Sequence, residues 1–229
     1  MACERSLKDL GLDYLDLYLI HFPIPMEYVP FETRYPPGWS VDGKSMTVTM
    51  KKVSIHETWK AMEELVDLGL VKQIGVANFN CVLLRELISA CRIKPFVDQV
   101  ELHPYLAQTR LREFCKANDI LVTGFSSFGD LSYIPLGMAK EGVPSLMGLP
   151  EVKSIASKHG KTPAQVLLRW ATSMGVSVIP KSSNEKRLVE NLDADSFDLT
   201  EEEMNTLMSL DKGLRFNDPA QFANTPIYD

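Results

Sequence analysis

Short apolar runs rich in β-branched residues alternate along the chain with longer segments whose apolar residues recur at helical spacing. The runs predict five strands, at residues 16–20, 73–77, 97–102, 120–126 and 176–180. Each run has too few polar residues to lie half exposed, which is typical of strands covered on both faces of a sheet. Alternation of this kind gives parallel strands joined by right-handed crossovers, so the pattern predicts an α/β protein.

The segments between the predicted strands carry start and stop signals for helices. Asn80 is a candidate N-cap, while Gly69 and Gly175 mark helix ends. Further helical segments are predicted at about 4–10, 108–118 and 184–191. A Ser or Thr followed three residues later by Glu or Gln, the spacing of a capping box, starts three helices: Ser54 with Glu57, Thr162 with Gln165, and Thr200 with Glu203.

Two architectures fit this alternation, a doubly wound sheet and a (β/α) barrel. No G-x-G-x-x-G turn follows the first strand, which a nucleotide-binding doubly wound sheet usually has. Barrels carry their functional side chains at the carboxyl ends of strands, and polar residues fall there after all five predicted strands, which favours the barrel. They are His21, Asn78, Glu101 with His103, Ser126 with Ser127, and Lys181–Ser183.

Two long irregular stretches, 23–53 and 128–148, interrupt the alternation. Loops of this length in a compact domain are often functional lids, and the first contains enough aromatic surface to line a pocket. A variable surface insertion remains the alternative for this stretch. The aromatic residues are Tyr28, Phe31, Tyr35 and Trp39.

Composition and charge narrow the function classes. The 229 residues carry 24 basic and 30 acidic side chains, a net charge of −6, and 45% are hydrophobic, which is typical of a folded globular protein. With no basic block and no apolar run of about 18 residues, we expect no nucleic-acid partner and no membrane span. Residues 1–5 show no secretory signal, and the four cysteines form no C-x-x-C pair, so we expect reduced thiols, no metal and a cytoplasmic location.

Four segments together resemble the signatures of the aldo-keto reductases. They are LGLDYLDLYLIHFP at 10–23, IGVANF at 74–79, QVELHPY at 99–105 and VIPKS at 178–182. YPPG at 35–38 and LRFNDP at 214–219 are similar to the xylose reductase and aldose reductase branch, which reduces open-chain aldoses to polyols with a nicotinamide cofactor. The resemblance runs over essentially the whole chain. It implies a TIM (β/α)8 barrel lacking its first three βα units, with residues 1–229 as a partial reductase domain of five parallel strands.

The resemblance also implies what this chain does not contain. Family members have an aspartate, a proton-donating tyrosine and a lysine on the three preceding βα units, and no residue here matches them. The expectation is therefore a chain without normal reductase activity. The alternative is a non-catalytic remnant that binds NADP or pairs with another protein, and exposed sheet edges would favour self-association.

On the substrate side, the resemblance assigns His21 as the remaining catalytic residue. A neutral imidazole at a strand end can hydrogen-bond a carbonyl oxygen and orient it. Phe22, Trp39 and Asn217 would join His21 in the pocket for an aldehyde or aldose. His103 remains open between pocket wall and packing, whereas His56 and His159 are expected to be solvated.

On the cofactor side, the resemblance implies a nearly complete site for NADP(H), with NAD(H) left open. Asn78 and Gln99 match residues that bind the nicotinamide carboxamide, although Ala77 replaces the usual serine and removes one hydrogen bond. Phe125 stands where a tyrosine commonly stacks on the ring. The phosphates would meet Ser126, Lys181, Ser182, Ser183 and Arg187, and the adenine would meet Glu190 and Asn191.

Overall fold

The computed structural model of the protein describes residues 1–35, 48–134, 137–138 and 140–228. Short 3₁₀ turns lie at Gly129–Ser132, Leu146–Gly148 and Asp193–Asp195. The helices and strands are α1 (Ala2–Leu10), β1 (Leu15–Ile20), α2 (Ile55–Asp67), β2 (Val71–Ala77), α3 (Cys81–Ala90), β3 (Val97–Glu101), α4 (Thr109–Ala117), β4 (Leu121–Phe125), α5 (Pro150–His159), α6 (Pro163–Ser173), β5 (Ser177–Val178), α7 (Glu185–Leu192), α8 (Glu201–Met208) and α9 (Pro219–Phe222).

The strand order in the sheet follows the chain, β1-β2-β3-β4-β5. β1 pairs with β2 in parallel, with Ile20 opposite Val76. β4 pairs with β5 in parallel, with Gly124 opposite Val178. The predicted α/β fold with five strands in the described residues is therefore confirmed.

The chain divides into two compact units. The first unit comprises Met1–Asp98 and Asp218–Asp229, and the second comprises Gln99–Asn217. Within the described ranges, no helix is long and apolar enough to cross a membrane. In the same ranges, no three His, Cys, Asp or Glu side chains come together as a metal site would require.

The core of the first unit is organised around Trp59 in α2, which is almost fully buried. Its indole N–H donates to the carbonyl of Ile93 at 2.9 Å, so the ring is both packed and hydrogen-bonded. One turn further along α2, the Glu63 carboxylate accepts from the backbone N–H groups of Arg92 (2.7 Å) and Ile93 (2.8 Å). These bonds attach α2 to the segment that follows α3.

Gly75 in β2 occupies a place where no side chain fits. A Cβ there would lie 2.7 Å from the Val97 carbonyl oxygen and 2.8 Å from the Leu19 side chain. Close approach of neighbouring backbone therefore requires glycine at this position of the IGVANF segment.

In the second unit, α6 is the most deeply buried helix. It begins at the predicted capping box, with Thr162 accepting from the Gln165 backbone N–H at 3.2 Å. Leu167, Leu168 and Trp170 on this helix are fully buried. The capping boxes predicted at Ser54–Glu57 and Thr200–Glu203 are present as well.

The prediction that all five strands are covered on both faces is wrong for four of them. Exposed residues are Asp16 and Leu17 in β1, Lys72 and Gln73 in β2, Leu121 in β4 and Ser177 in β5. Only β3, the middle strand of the sheet, has no exposed residue. The predicted strand at 176–180 was also too long. Only Ser177 and Val178 pair with β4, and Pro180 has no N–H to extend the ladder.

His159 at the end of α5 corrects the expectation that it is solvated. It lies 2.9 Å from a carboxylate oxygen of Glu203 and packs against the Phe197 ring, with centroids 5.1 Å apart. Lys158 donates to the other oxygen at 2.7 Å. Burial raises the pKa of Glu203, but hydrogen bonds from Lys158, the Thr200 backbone and His159 outweigh it and bring the pKa to about 2.

This cluster predicts a loss of stability in acid. Because the folded pKa of Glu203 is about 2 and its ordinary value is 4.5, the ionised carboxylate stabilises the fold above pH 4.5. That stabilisation is lost as the pH falls from 4.5 towards 2. Glu203→Gln should therefore lower the urea midpoint at pH 7. The urea midpoint of this variant should also differ less between pH 7 and pH 3 than that of the wild type.

Glu202→Gln on the same helix is the matched control, because Glu202 is exposed. It should leave the pH dependence of the urea midpoint as in the wild type. An equal drop between pH 7 and pH 3 in the wild type and in Glu203→Gln would contradict the assignment.

Candidate functional site

A cavity of about 860 Å³ lies in the second unit, where β4 and β5 end. Six of the residues that the resemblance assigned to cofactor binding lie on its wall: Ser126, Lys181, Ser182, Arg187, Glu190 and Asn191. The rest of the wall contains Ser127, Phe128, Leu131, Met147, Thr162, Ala164, Ile179 and Pro180, which the cofactor prediction did not include. The fold thus brings together these six residues that the resemblance assigned to the cofactor.

Parallel pairing of β4 and β5 explains this convergence. Parallel strands end at the same edge of a sheet, so Ser126 after β4 and Lys181 after β5 emerge side by side. Asn184 caps α7 by accepting from the Arg187 N–H at 3.1 Å, and the Ser182 hydroxyl accepts from the Asn184 N–H at 3.1 Å. These bonds fix the turn between Lys181 and Arg187, two exposed cations on the cavity wall.

The cavity suits a nucleotide that carries phosphates. Its volume lies within the range of small-molecule sites, about 300–1,000 Å³. Two cations and several hydroxyls suit phosphate oxygens, while Leu131, Met147 and Ile179 offer apolar surface for a base. Ser127 is 4% exposed, and its hydroxyl has no hydrogen-bond partner among the residues that the structure describes, so a buried polar group on the wall is left for a ligand.

Ser127 is the clearest residue that sequence reasoning did not assign to the site. The polar pair Ser126–Ser127 after β4 was the available signal. Conversely, Ser183 is exposed and does not line the cavity. Gln99 and Phe125 are half-buried in the second unit and also lie off its wall, so their proposed contacts with a nicotinamide ring stay predictions.

In the first unit, His21 and Asn78 follow the parallel strands β1 and β2. Asn78 is 2% exposed and has a left-handed backbone with φ of 64°. Its Nδ2 donates to the His21 carbonyl at 2.8 Å, and its Oδ1 accepts from the Tyr228 hydroxyl at 2.9 Å. The structure therefore brings two of the predicted site residues into direct contact and adds Tyr228, which the sequence did not indicate.

His21 is exposed, and its ring packs against Phe22 with centroids 4.8 Å apart. Partial desolvation lowers the pKa of the imidazole below its ordinary value of 6.5, which favours the neutral form at pH 7. Phe22 also borders an apolar cavity of about 280 Å³ lined by residues between Ile20 and Thr58. Trp39 and most of the YPPG segment lie outside the described residues.

Glu101 in the second unit is fully buried and organises the LRFNDP segment. Its Oε1 accepts from the Phe216 N–H and lies 2.8 Å from Nε2 of His103, and its Oε2 accepts from the Asn217 N–H at 2.7 Å. His103 is also fully buried. This answers the question left open for His103: the ring packs beside Glu101.

Tyr133 lies between Ser126 and the LRFNDP segment. Its hydroxyl lies 2.8 Å from Oγ of Ser126. The Tyr133 ring stacks on Phe216, with centroids 5.8 Å apart. Burial and the Glu101 charge raise the pKa of Tyr133 to about 12, so the hydroxyl keeps its proton at neutral pH.

Comparison with known proteins identifies the family of the chain. Residues 1–212 match the Aldo/keto reductase family. The chain belongs to this family, a class of oxidoreductases.

The similar curated proteins are fungal reductases. The chain is 52% identical to the probable NAD(P)H-dependent D-xylose reductase of Emericella nidulans over 221 residues, which are 96% of this chain and 68% of the relative. It is 48% identical to the NAD(P)H-dependent D-xylose reductase of Pyricularia oryzae, covering 97% of this chain and 69% of the relative. A D-xylose reductase of Aspergillus niger is 49% identical, with 95% and 68% covered.

The Glu101 contacts predict that the conservative substitution Glu101→Gln strongly lowers the stability of the fold. Glu101→Gln keeps the size of the side chain, but it removes the charge and places an NH₂ group against backbone or imidazole donors. The free energy of unfolding should fall by about 3 kcal/mol. Urea unfolding followed by tryptophan fluorescence measures this loss.

Glu113→Gln on α4 is the control, because Glu113 is exposed. It should change the free energy of unfolding by no more than about 0.5 kcal/mol. Equal effects of the two substitutions would rule out the assigned role of Glu101.

Proposed function

We propose that this chain carries the cofactor site and the carbonyl-orienting histidine of an NADP(H)-dependent reductase of aldoses such as D-xylose. The observation that carries the proposal is the cavity at the ends of β4 and β5, where six predicted cofactor residues line one wall. The names of the similar fungal proteins support the substrate and the cofactor. In the residues that the structure describes, the four cysteines form no disulfide, which suits a reducing compartment such as the cytosol.

The dinucleotide, when bound, supplies the hydride that reduces a carbonyl carbon. Lys181 and Arg187 offset the negative charge of its phosphates, and Arg187 would distinguish NADP(H) from NAD(H) by pairing with the 2′-phosphate. Ser126 and Ser127 offer hydroxyls beside the same cavity. Glu190 and Asn191 are the polar groups proposed for the adenine.

His21 orients the substrate in this proposal. The lowered pKa keeps its imidazole neutral at pH 7, so one ring N–H can donate to a carbonyl oxygen. The hydrogen bond from the Asn78 side chain to the His21 backbone carbonyl joins the ends of β1 and β2. Asn78 would then hold the carboxamide close to the histidine.

For the 229 residues as printed, we propose cofactor binding without normal turnover. None of these residues matches the family's catalytic aspartate, proton-donating tyrosine or lysine. Hydride transfer to a carbonyl needs a proton donor at the oxygen, and a neutral histidine is a poor substitute for an activated tyrosine. The alternative is that the chain is a non-catalytic NADP-binding protein, and this alternative rests on the same cavity.

Arg187→Ala should weaken the binding of NADPH much more than the binding of NADH. Loss of one charge-assisted contact predicts a rise in the NADPH dissociation constant of about 10- to 100-fold, while that for NADH stays within about two-fold. Quenching of tryptophan fluorescence on titration gives both constants. Lys153→Ala removes an exposed cation on α5 and should change neither constant. Equal loss for both cofactors in Arg187→Ala would contradict a 2′-phosphate contact.

Turnover is the second test. The 229-residue chain should bind NADPH in the titration and yet show no oxidation of NADPH above background with D-xylose, followed by absorbance. A D-xylose reductase assayed alongside provides the reference. A rate comparable to this reference would overturn the proposal that the chain as printed lacks normal activity.

A further inference from the structure

We propose that Tyr133 is a positioning residue that couples the cofactor side of the site to the substrate side. Its hydroxyl holds Ser126 on the wall of the cavity, and its ring stacks on Phe216, the neighbour of Asn217 in the LRFNDP segment. This inference rests on the proposed function, which assigns Ser126 to the pyrophosphate and Asn217 to the substrate.

The first support is the backbone of Ser126. Its φ of 54° lies in the left-handed region, which costs a non-glycine residue about 1 kcal/mol or more. The Ser126 carbonyl accepts from the Gly129 N–H at 2.8 Å, and its hydroxyl lies 2.8 Å from the Tyr133 oxygen. The turn and the side chain are thus held from two directions, and Tyr133 is the hydrogen-bond partner that the structure gives the hydroxyl.

The second support is the burial of Tyr133. The residue is 6% exposed, so its hydroxyl must find partners within the protein. It finds one in the Ser126 hydroxyl. If this position only needed an aromatic ring to fill space, the tyrosine oxygen could lie in water, or phenylalanine would serve equally well.

The third support is that Asn217 is fixed independently. The Glu101 carboxylate binds the backbone N–H groups of Phe216 and Asn217, and the Phe216 ring stacks on Tyr133. Because the Phe216 and Asn217 backbone is held by Glu101, the Phe216 ring gives Tyr133 a fixed support, and the Tyr133 hydroxyl gives Ser126 a fixed partner. A change at Ser126 on cofactor binding is therefore transmitted through Tyr133 to the backbone of Phe216 and Asn217.

Tyr133→Phe tests this role, since the ring and its stacking on Phe216 are retained. The NADPH dissociation constant should rise about five-fold, the value of one hydrogen bond. The dissociation constant of 2′-AMP should stay within about two-fold, because 2′-AMP contains the adenine and 2′-phosphate but no pyrophosphate. A double-mutant cycle adds a second criterion: after Ser126→Ala, the change Tyr133→Phe should have no further effect on NADPH binding.

Tyr105→Phe is the matched control. Tyr105 is 1% exposed in the same unit, and its hydroxyl donates to the Pro144 carbonyl at 3.0 Å. It should lower the unfolding temperature without changing either dissociation constant. Equal weakening of NADPH binding by Tyr105→Phe and Tyr133→Phe would show a general loosening and overturn the positioning role.

A spectroscopic signature gives the coupling itself. In ¹⁵N-labelled wild-type protein, NADPH should shift the backbone N–H resonances of Phe216 and Asn217, and this shift should disappear in Tyr133→Phe. NADPH binding of wild-type strength in Tyr133→Phe overturns the positioning role alone. A wild-type chain that binds neither NADPH nor 2′-AMP overturns the proposed function and the positioning role with it.

Discussion

A buried carboxylate organises the second unit. Glu101 has no exposure to solvent, and an isolated charge in that environment would be strongly unfavourable. Backbone N–H groups from Phe216 and Asn217 and the imidazole of His103 surround its oxygens at 2.7–2.8 Å. The charge is therefore stabilised only when the LRFNDP segment lies in place, and this requirement sets the position of Phe216 and Asn217.

A chain of contacts connects the Glu101 site with the cavity. Phe216 stacks on Tyr133, and the Tyr133 hydroxyl reaches Ser126 at the end of β4. Ser126 in turn shares the cavity wall with Lys181 and Arg187. Burial at one place thus fixes polar groups at another, which gives the cofactor a prearranged surface and reduces the ordering that binding would otherwise require.

Local sequence patterns predicted those features of the fold that depend on residues close together in the sequence or on regular strand pairing. The capping box at Thr162–Gln165 needs only a spacing of three, and the convergence of Ser126 and Lys181 follows from parallel strands. Helix α5 was not predicted. Leu149 before it has no side-chain oxygen, and its remaining signals are Pro150 in the first turn and Gly160 after the end. The bond from Asn217 to Glu101 spans 116 positions along the chain, and no local pattern predicts such a contact.

The structure of the chain with NADP⁺ bound, determined by crystallography, tests the central claim most directly. The claim is that the cavity at the ends of β4 and β5 receives the phosphate-bearing part of the cofactor. It predicts the 2′-phosphate against Arg187 and Lys181 and the pyrophosphate beside Ser126, with the Glu101 bonds to residues 216 and 217 retained. Nucleotide bound elsewhere on the chain, with this cavity empty at saturating NADP⁺, would contradict it.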